Sequence, residues 1–156
     1  MPSMHVAVTV HMAAPPERIW ELVSDVTRIG SYSPETFEAT WVDGATGPAV
    51  GAKFRGHVKR NGIGPTYWTS CMVTECEPGR TFAFGTVSTE RPLAIWGYEI
   101  VPAGDGADVT ESFTLTPTLG LRIYWALWGW SRGKVNRKGM QTTLERIKAE
   151  VEAGAS

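Results

Sequence analysis

The sequence predicts an α+β fold: a curved seven-stranded antiparallel sheet folded around one long C-terminal helix, with two short helices between strands 1 and 2. Three observations carry this. Residues 136–153, NRKGMQTTLERIKAEVEA, place Met140, Leu144, Ile147 and Val151 at helical spacing on one face. Residues 37–116 lose that period and alternate instead, in short runs separated by Gly- and Pro-containing turns. A first alternating run, 5–12, is split from the others by a helical stretch. One helix with a single apolar face needs a large partner surface, and the strands are able to supply it.

Each element has its own signature. In 5–12, Val6, Val8, Val10 and Met12 share one side, and His5, Ala7, Thr9 and His11 the other. In AAPPERIWELVSDV, Pro16 suits a first helical position and Glu17 the first turn, and Ile19, Trp20, Val23 and Val26 recur at helical spacing. Residues 27–33 read as a second short helix or turn, stopped before Pro34. Phe37, Ala39 and Trp41 then alternate with Glu38 and Thr40, and DGATGPAVGA is a loop. Phe54, Gly56 and Val58 alternate with Lys53, Arg55, His57 and Lys59. Strands follow over 67–76, 81–87, 93–101 and 108–116, joined by EPGR, PAGDG and similar turns. Consecutive strands with short turns make an antiparallel meander. Gly154 stands where the final helix would stop.

Composition bounds the function. A chain of 156 residues suggests one domain, 1–156, with 42% hydrophobic and 20% charged residues as in ordinary soluble proteins. Its net charge of −1 argues against a nucleic-acid partner. The N-terminus has neither a basic region nor a long apolar run, and apolar residues 119–130 are too short to span a bilayer. A reduced, cytoplasmic setting is expected. Cys71 and Cys76 fall in one strand, roughly 16 Å apart at ~3.3 Å per residue, beyond disulfide reach. Seven tryptophans are unusual, since a buried indole needs both space and an N–H partner.

Four phrases, APPERIWELVSDVTRIGSYSP, VGAKFRG, VTECEPGRTFAF and WGYEIVPAGDGADVTESF, occur in this order. Together with the element order, they resemble the START-like (SRPBCC) superfamily with the helix-grip fold, in its polyketide cyclase/dehydrase-like branch. The resemblance covers about residues 6–151. It implies an internal cavity between sheet and helix and a hydrophobic ligand, lipid- or polyketide-like. Its members include lipid carriers, ligand binders, aromatase/cyclases and co-chaperones, so the fold alone does not choose among them. Where members often carry a Trp in the second short helix, this chain has IGSYSP, and Tyr32 is the residue that would take any role at the pocket mouth.

Several constellations compete. GWSRG, residues 129–133, fits a nucleophile-elbow pattern, but no His follows it, and His57 is the last in the chain. Ser131 is therefore read as a break before the helix. His5, His11 and His57 have no metal-ligand spacing among themselves or with the cysteines, so no metal and no cofactor is expected. Arg132, Lys134, Arg137 and Lys138 beside Trp125, Trp128 and Trp130 invite contact with a membrane surface or partner through 119–130; a solvated helix start with the aromatics packed inward is the plainer reading.

The candidate binding set is Trp68, Phe82, Phe84, Trp96, Tyr98, Glu111 and Phe113 on the strands, opposite Met140 and Leu144 on the helix. Aromatic stripes are more often core than site; the resemblance is what raises the expectation of a cavity. Glu111 is the sharpest member. Alternation puts it with Val109, Phe113 and Leu115, where a carboxylate needs a partner or gains a proton. Tyr98 on the neighbouring strand is its natural partner, while Glu99 and Thr110 point away. The expectation is binding of a hydrophobic or aromatic small molecule. An alternative is polyketide cyclase/dehydratase chemistry with Glu111 or Tyr98 as acid or base. The oligomeric state is left open.

Overall fold

A computed structural model describes residues 4–59, 65–87, 92–115 and 137–153. The strands are β1 (Met4–Met12), β2 (Thr36–Val42), β3 (Lys53–Val58), β4 (Tyr67–Glu77), β5 (Thr81–Val87), β6 (Pro92–Ala103) and β7 (Gly106–Leu115). They form one seven-stranded antiparallel sheet in the order β1-β7-β6-β5-β4-β3-β2. The meander β2–β7 is therefore as expected, and β1 closes onto β7. The two strands nearest in sequence to the short helices lie at opposite edges of the sheet.

Helix α1 (Pro16–Ser24) begins with proline at its first turn and buries Ile19, Leu22 and Val23. Trp20 is half-buried, and its indole Nε1 donates to the carbonyl of Thr81 at 2.8 Å, tying α1 to β5. The second short helix is a 3-10 segment, Val26–Ser31. Asp25 starts it, accepting from the Thr27 amide at 3.1 Å and the Thr27 hydroxyl at 2.6 Å. The C-terminal helix α2 covers 137–153, with Met140, Leu144, Ile147 and Val151 buried as their spacing predicts. Gly154 and residues 116–136, including Ser131, the three neighbouring tryptophans, Arg132 and Lys134, lie outside the described residues.

The sheet presents one face to the helices. Leu144, Ile147 and Val151 of α2 join Ile19, Leu22 and Val23 of α1 and Phe54, Phe82, Tyr98 and Val109 of the sheet in one core. Met140 packs separately with Val6 and Phe113. Polar contacts hold the helix ends. The Arg28 guanidinium meets Glu150 at 2.6 Å, the Ser31 hydroxyl donates to Glu150 at 3.0 Å, and the Ala13 amide donates to Glu152 at 2.9 Å. Gly106 is required by close approach: a Cβ there would overlap the Met12 carbonyl.

The register shifts at three places among the described residues, Thr36/Glu38, Val73/Glu75 and Gly85/Val87, and the first two change which side chains face inward. At the first, Phe37 leaves the side of Ala39 and Trp41 and stands 45% exposed beside His57. Across the second, Cys71 and Cys76 are an odd number of residues apart, yet both reach the core side. Both are free thiols, and burial pushes the Cys71 pKa up to about 11.

At one end of the sheet His11 joins two carboxylates. Its Nδ1 meets Asp108 and its Nε2 meets Asp105, each at 2.8 Å. Both ring nitrogens can donate at once only in the imidazolium. The hydrogen bonds to Asp108 and then Asp105 raise the pKa of His11 above its ordinary 6.5. The contact therefore stabilises the fold fully below 6.5, and its contribution is lost as pH rises through the higher folded value. We expect an NMR titration to find His11 above 6.5, with Asp108→Asn moving it back toward that value. A His11 that titrates at 6.5 or below would rule the arrangement out.

Candidate functional site

The inner face of the sheet is built in rows, because antiparallel register aligns side chains across strands. Val8, Glu111, Tyr98, Phe82 and Cys76 form one row across β1, β7, β6, β5 and β4. Val6, Phe113, Trp96, Phe84 and Val73 form the next. The rings touch along and between rows: Trp96–Phe113 centroids are 4.5 Å apart, Phe82–Phe84 6.1 Å, and Phe54–Phe84 5.1 Å edge to face.

Phe82, Phe84, Trp96, Tyr98, Glu111 and Phe113 thus share one face, and α2 brings Leu144 and Met140 against it. Trp68 does not belong to this set. Cys71 and Val73 face the core, so Trp68 lies on the opposite side of β4, 43% exposed. There it stacks on His57, with centroids 4.2 Å apart and planes 12° from parallel. Sequence reasoning also left out two inward aromatics, Phe54 and Trp41, whose rings meet at 5.7 Å. Their alternation with Lys53, Arg55 and Thr40 was the available signal.

Glu111 is the only charged residue buried among the described core residues, at 4% exposure. Its Oε1 accepts a long hydrogen bond from the Tyr98 hydroxyl at 3.4 Å. Its Oε2 is buried without any partner among the described residues. Burial pushes its pKa up to about 8, and the Tyr98 hydrogen bond acts against that rise. Near neutral pH the group is therefore mostly a neutral carboxylic acid. With Tyr98 donating to one oxygen, the proton sits on the other, which has no acceptor among the described residues.

The pKa of Tyr98 is raised, first by burial and then by Glu111. Tyr32, 1% exposed, is raised for the same two reasons, which sets it within electrostatic reach of Glu111 in the interior. Tyr32 belongs to the same buried core cluster as Phe82 and Tyr98. Among the described residues, no group of three or more His, Cys, Asp or Glu side chains is arranged to hold a metal ion. An open groove of ≈ 610 Å³ lies under the β2–β3 loop, lined by residues such as Asp43, Pro48 and Lys53, and none of the candidate residues borders it. Among the described residues, no helix is long and apolar enough to cross a membrane.

Comparison with known proteins agrees with this architecture. A family profile described as "Polyketide cyclase / dehydrase and lipid transport" matches residues 3–152. A polyketide-cyclase-like protein of Corynebacterium glutamicum is 30% identical, with 100% of this chain and 96% of that chain covered and a TM-score of 0.66. The KanY protein is 18% identical, covering 97% and 99%, with a TM-score of 0.72. The di-domain ARO/CYC protein StfQ from the steffimycin biosynthetic pathway is 14% identical, with a TM-score of 0.73. This chain covers 52% of StfQ and 98% of itself in that match. None of the curated proteins matches. The profile spans almost the whole sequence. The chain belongs to the polyketide cyclase/dehydrase and lipid transport family, within the START-like (SRPBCC) superfamily of helix-grip proteins.

Proposed function

We propose that this chain, as one domain working in the cytoplasm, binds a hydrophobic or aromatic small molecule in an internal cavity between a curved sheet and α2. The observation that carries the reading is Glu111 Oε2: a buried carboxyl oxygen without a partner among the described residues, set among aromatic rings. Natural interiors rarely leave such an atom unsatisfied, and a ligand oxygen placed beside it would remove the cost. Phe82, Phe84, Trp96 and Phe113 would pack the rings of the ligand, with Met140 and Leu144 as the opposite wall. Glu111 and Tyr98 would fix its orientation. The family's description, which joins polyketide chemistry with lipid transport, supports the same ligand class.

The test is a pair of matched probes, naphthalene and 2-naphthol, titrated while tryptophan emission and amide NMR shifts are followed. We expect both to bind and to shift inner-face residues. The oxygen should improve affinity about tenfold, the worth of one good hydrogen bond inside a protein. Glu111→Leu, which offers the ligand oxygen no hydrogen-bond donor, should reduce that preference. Absence of any inner-face shift with either probe would reject an internal binding site.

A second reading is favoured by the raised pKa of Glu111. A carboxyl poised about 8 can hold a proton at neutral pH and deliver it, the requirement for a general acid. In a polyketide cyclase or dehydratase it would protonate a ligand oxygen during aldol closure or departure of water. Glu111→Gln would then abolish turnover of a polyketone substrate while leaving binding within a few-fold. Unchanged turnover in that variant would remove Glu111 from the chemistry.

A further inference from the structure

The outer face of the sheet is divided by charge. Glu75, Glu77 and Glu99 are exposed there, toward the β4–β5 turn. Toward the other edge, β3 turns Lys53 and Arg55 outward, and exposed Lys59 follows at the strand's end. None of these three cations forms an ion pair among the described residues. Glu38, on the neighbouring strand β2, is engaged with His57 at 2.8 Å.

Large aromatic side chains stand among these cations. Phe37 is 45% exposed and Trp68 43% exposed, with the ring of His57 between them. The Arg55 guanidinium lies over the Trp68 ring, 5.1 Å from its centroid. The Thr36/Glu38 bulge is what turns Phe37 out to this side. Phe37 and Trp68, joined through the His57 ring, leave apolar surface in water, and contiguous exposed apolar surface marks an interaction site.

The pattern of unpaired cations around exposed Trp and Phe is that of a surface meeting an anionic bilayer. Indole and phenyl rings favour the headgroup level, and Lys or Arg meet acidic lipids. A nucleic acid fits less well. The net charge is −1, and Trp68 already stacks on His57 and under Arg55, so its ring is not free for a base. We propose that the outer face of β2, β3 and β4 docks on an anionic lipid bilayer: Lys53, Arg55 and Lys59 meet acidic headgroups, and Trp68 and Phe37 enter the interfacial layer. This surface is on the opposite side of the sheet from the Glu111 site and stands whether or not that site holds a ligand.

The experiment is co-sedimentation of the full chain with phosphatidylcholine vesicles, with and without phosphatidylserine. We expect binding only with phosphatidylserine, weakening as salt is raised. Lys53→Gln and Arg55→Gln should each lower the partition coefficient about fivefold, the worth of one cation at such a surface. Brominated lipid should quench tryptophan emission, and Trp68→Phe should abolish most of that quenching while keeping sedimentation. Far-UV circular dichroism establishes that each variant is folded. The proposal is overturned if phosphatidylserine does not promote binding, if neither glutamine variant weakens it, or if quenching persists in Trp68→Phe. Binding to a single-stranded oligonucleotide in preference to vesicles would also overturn it.

Discussion

Glu111→Gln makes the protein more stable, and the gain grows with pH. The carboxyl loses its proton near 4.5 in an unfolded chain and at about 8 in the folded one. Below the first value both states are protonated, and the group is neutral to stability. Between the two values the unfolded state releases a proton that the folded state keeps. Each pH unit in that window costs the fold about 1.4 kcal/mol. Near pH 7 the wild type has given up about 3 kcal/mol, and above the folded value the loss levels off at about 5 kcal/mol. A glutamine has no proton to lose, and its amide oxygen can still accept from the Tyr98 hydroxyl. Urea unfolding of both proteins should give curves that converge toward pH 4 and separate steadily toward pH 8. A difference that stays constant across this range would show that Glu111 does not titrate from a buried neutral state. Native proteins that retain such a cost commonly do so at a working site.

Leu144→Ala should destabilise by about 3 kcal/mol, within the ~2–5 kcal/mol usual for a buried leucine. Leu144 is 0% exposed and lies in the core that also contains Phe82, Tyr98 and Ile147. The loss combines the transfer of its methyl groups with the space left behind. For a chain of this size, the melting temperature should fall by about 10 °C. Gln141→Ala, on the exposed side of the same helix, should change stability by less than about 0.5 kcal/mol. Equal losses at the two positions would mean that the apolar stripe of α2 does not face the sheet. The leucine variant also bears on the proposed cavity. If the wall of a binding site is thinned there, 2-naphthol should recover part of the lost stability through binding to the folded state alone.

The fold was legible because nearly every element announces its period. Val6 to Met12, Phe54 to Val58 and Met140 to Val151 each bury the side that their spacing selects. The Tyr98–Glu111 pair was legible for the same reason, since two strands joined by a short turn must bring their inward residues opposite one another. Trp68 was not. In YWTSCMVTECE both faces carry apolar residues, so alternation has no visible phase there. Only the pairing of Trp68 with His57, an outward residue, reveals the side on which it lies. The bulges at Thr36/Glu38 and Val73/Glu75 were equally silent, since an inserted residue shifts the phase without any distinctive residue type. The unpartnered state of Glu111 Oε2 among the described residues depends on three-dimensional surroundings. Sequence can show that a carboxylate enters an apolar row, but not how many of its oxygens find a donor.

The placement of β1 carries a consequence for how the chain is made. Its partner is β7, with Met4 opposite Leu115 and Met12 opposite Ala107. The strands β2 through β7 each pair with a neighbour in sequence, so that hairpin ladder can assemble progressively as it leaves the ribosome. The N-terminal strand emerges first and finds its edge last. Until then its valines and the aromatic rows of the ladder remain without their final cover. Such a long closure is the kind of pairing that slows folding and leaves strand edges open to other chains. During synthesis, the stage most sensitive to misassembly is therefore the interval between completion of the ladder and arrival of the C-terminal helix.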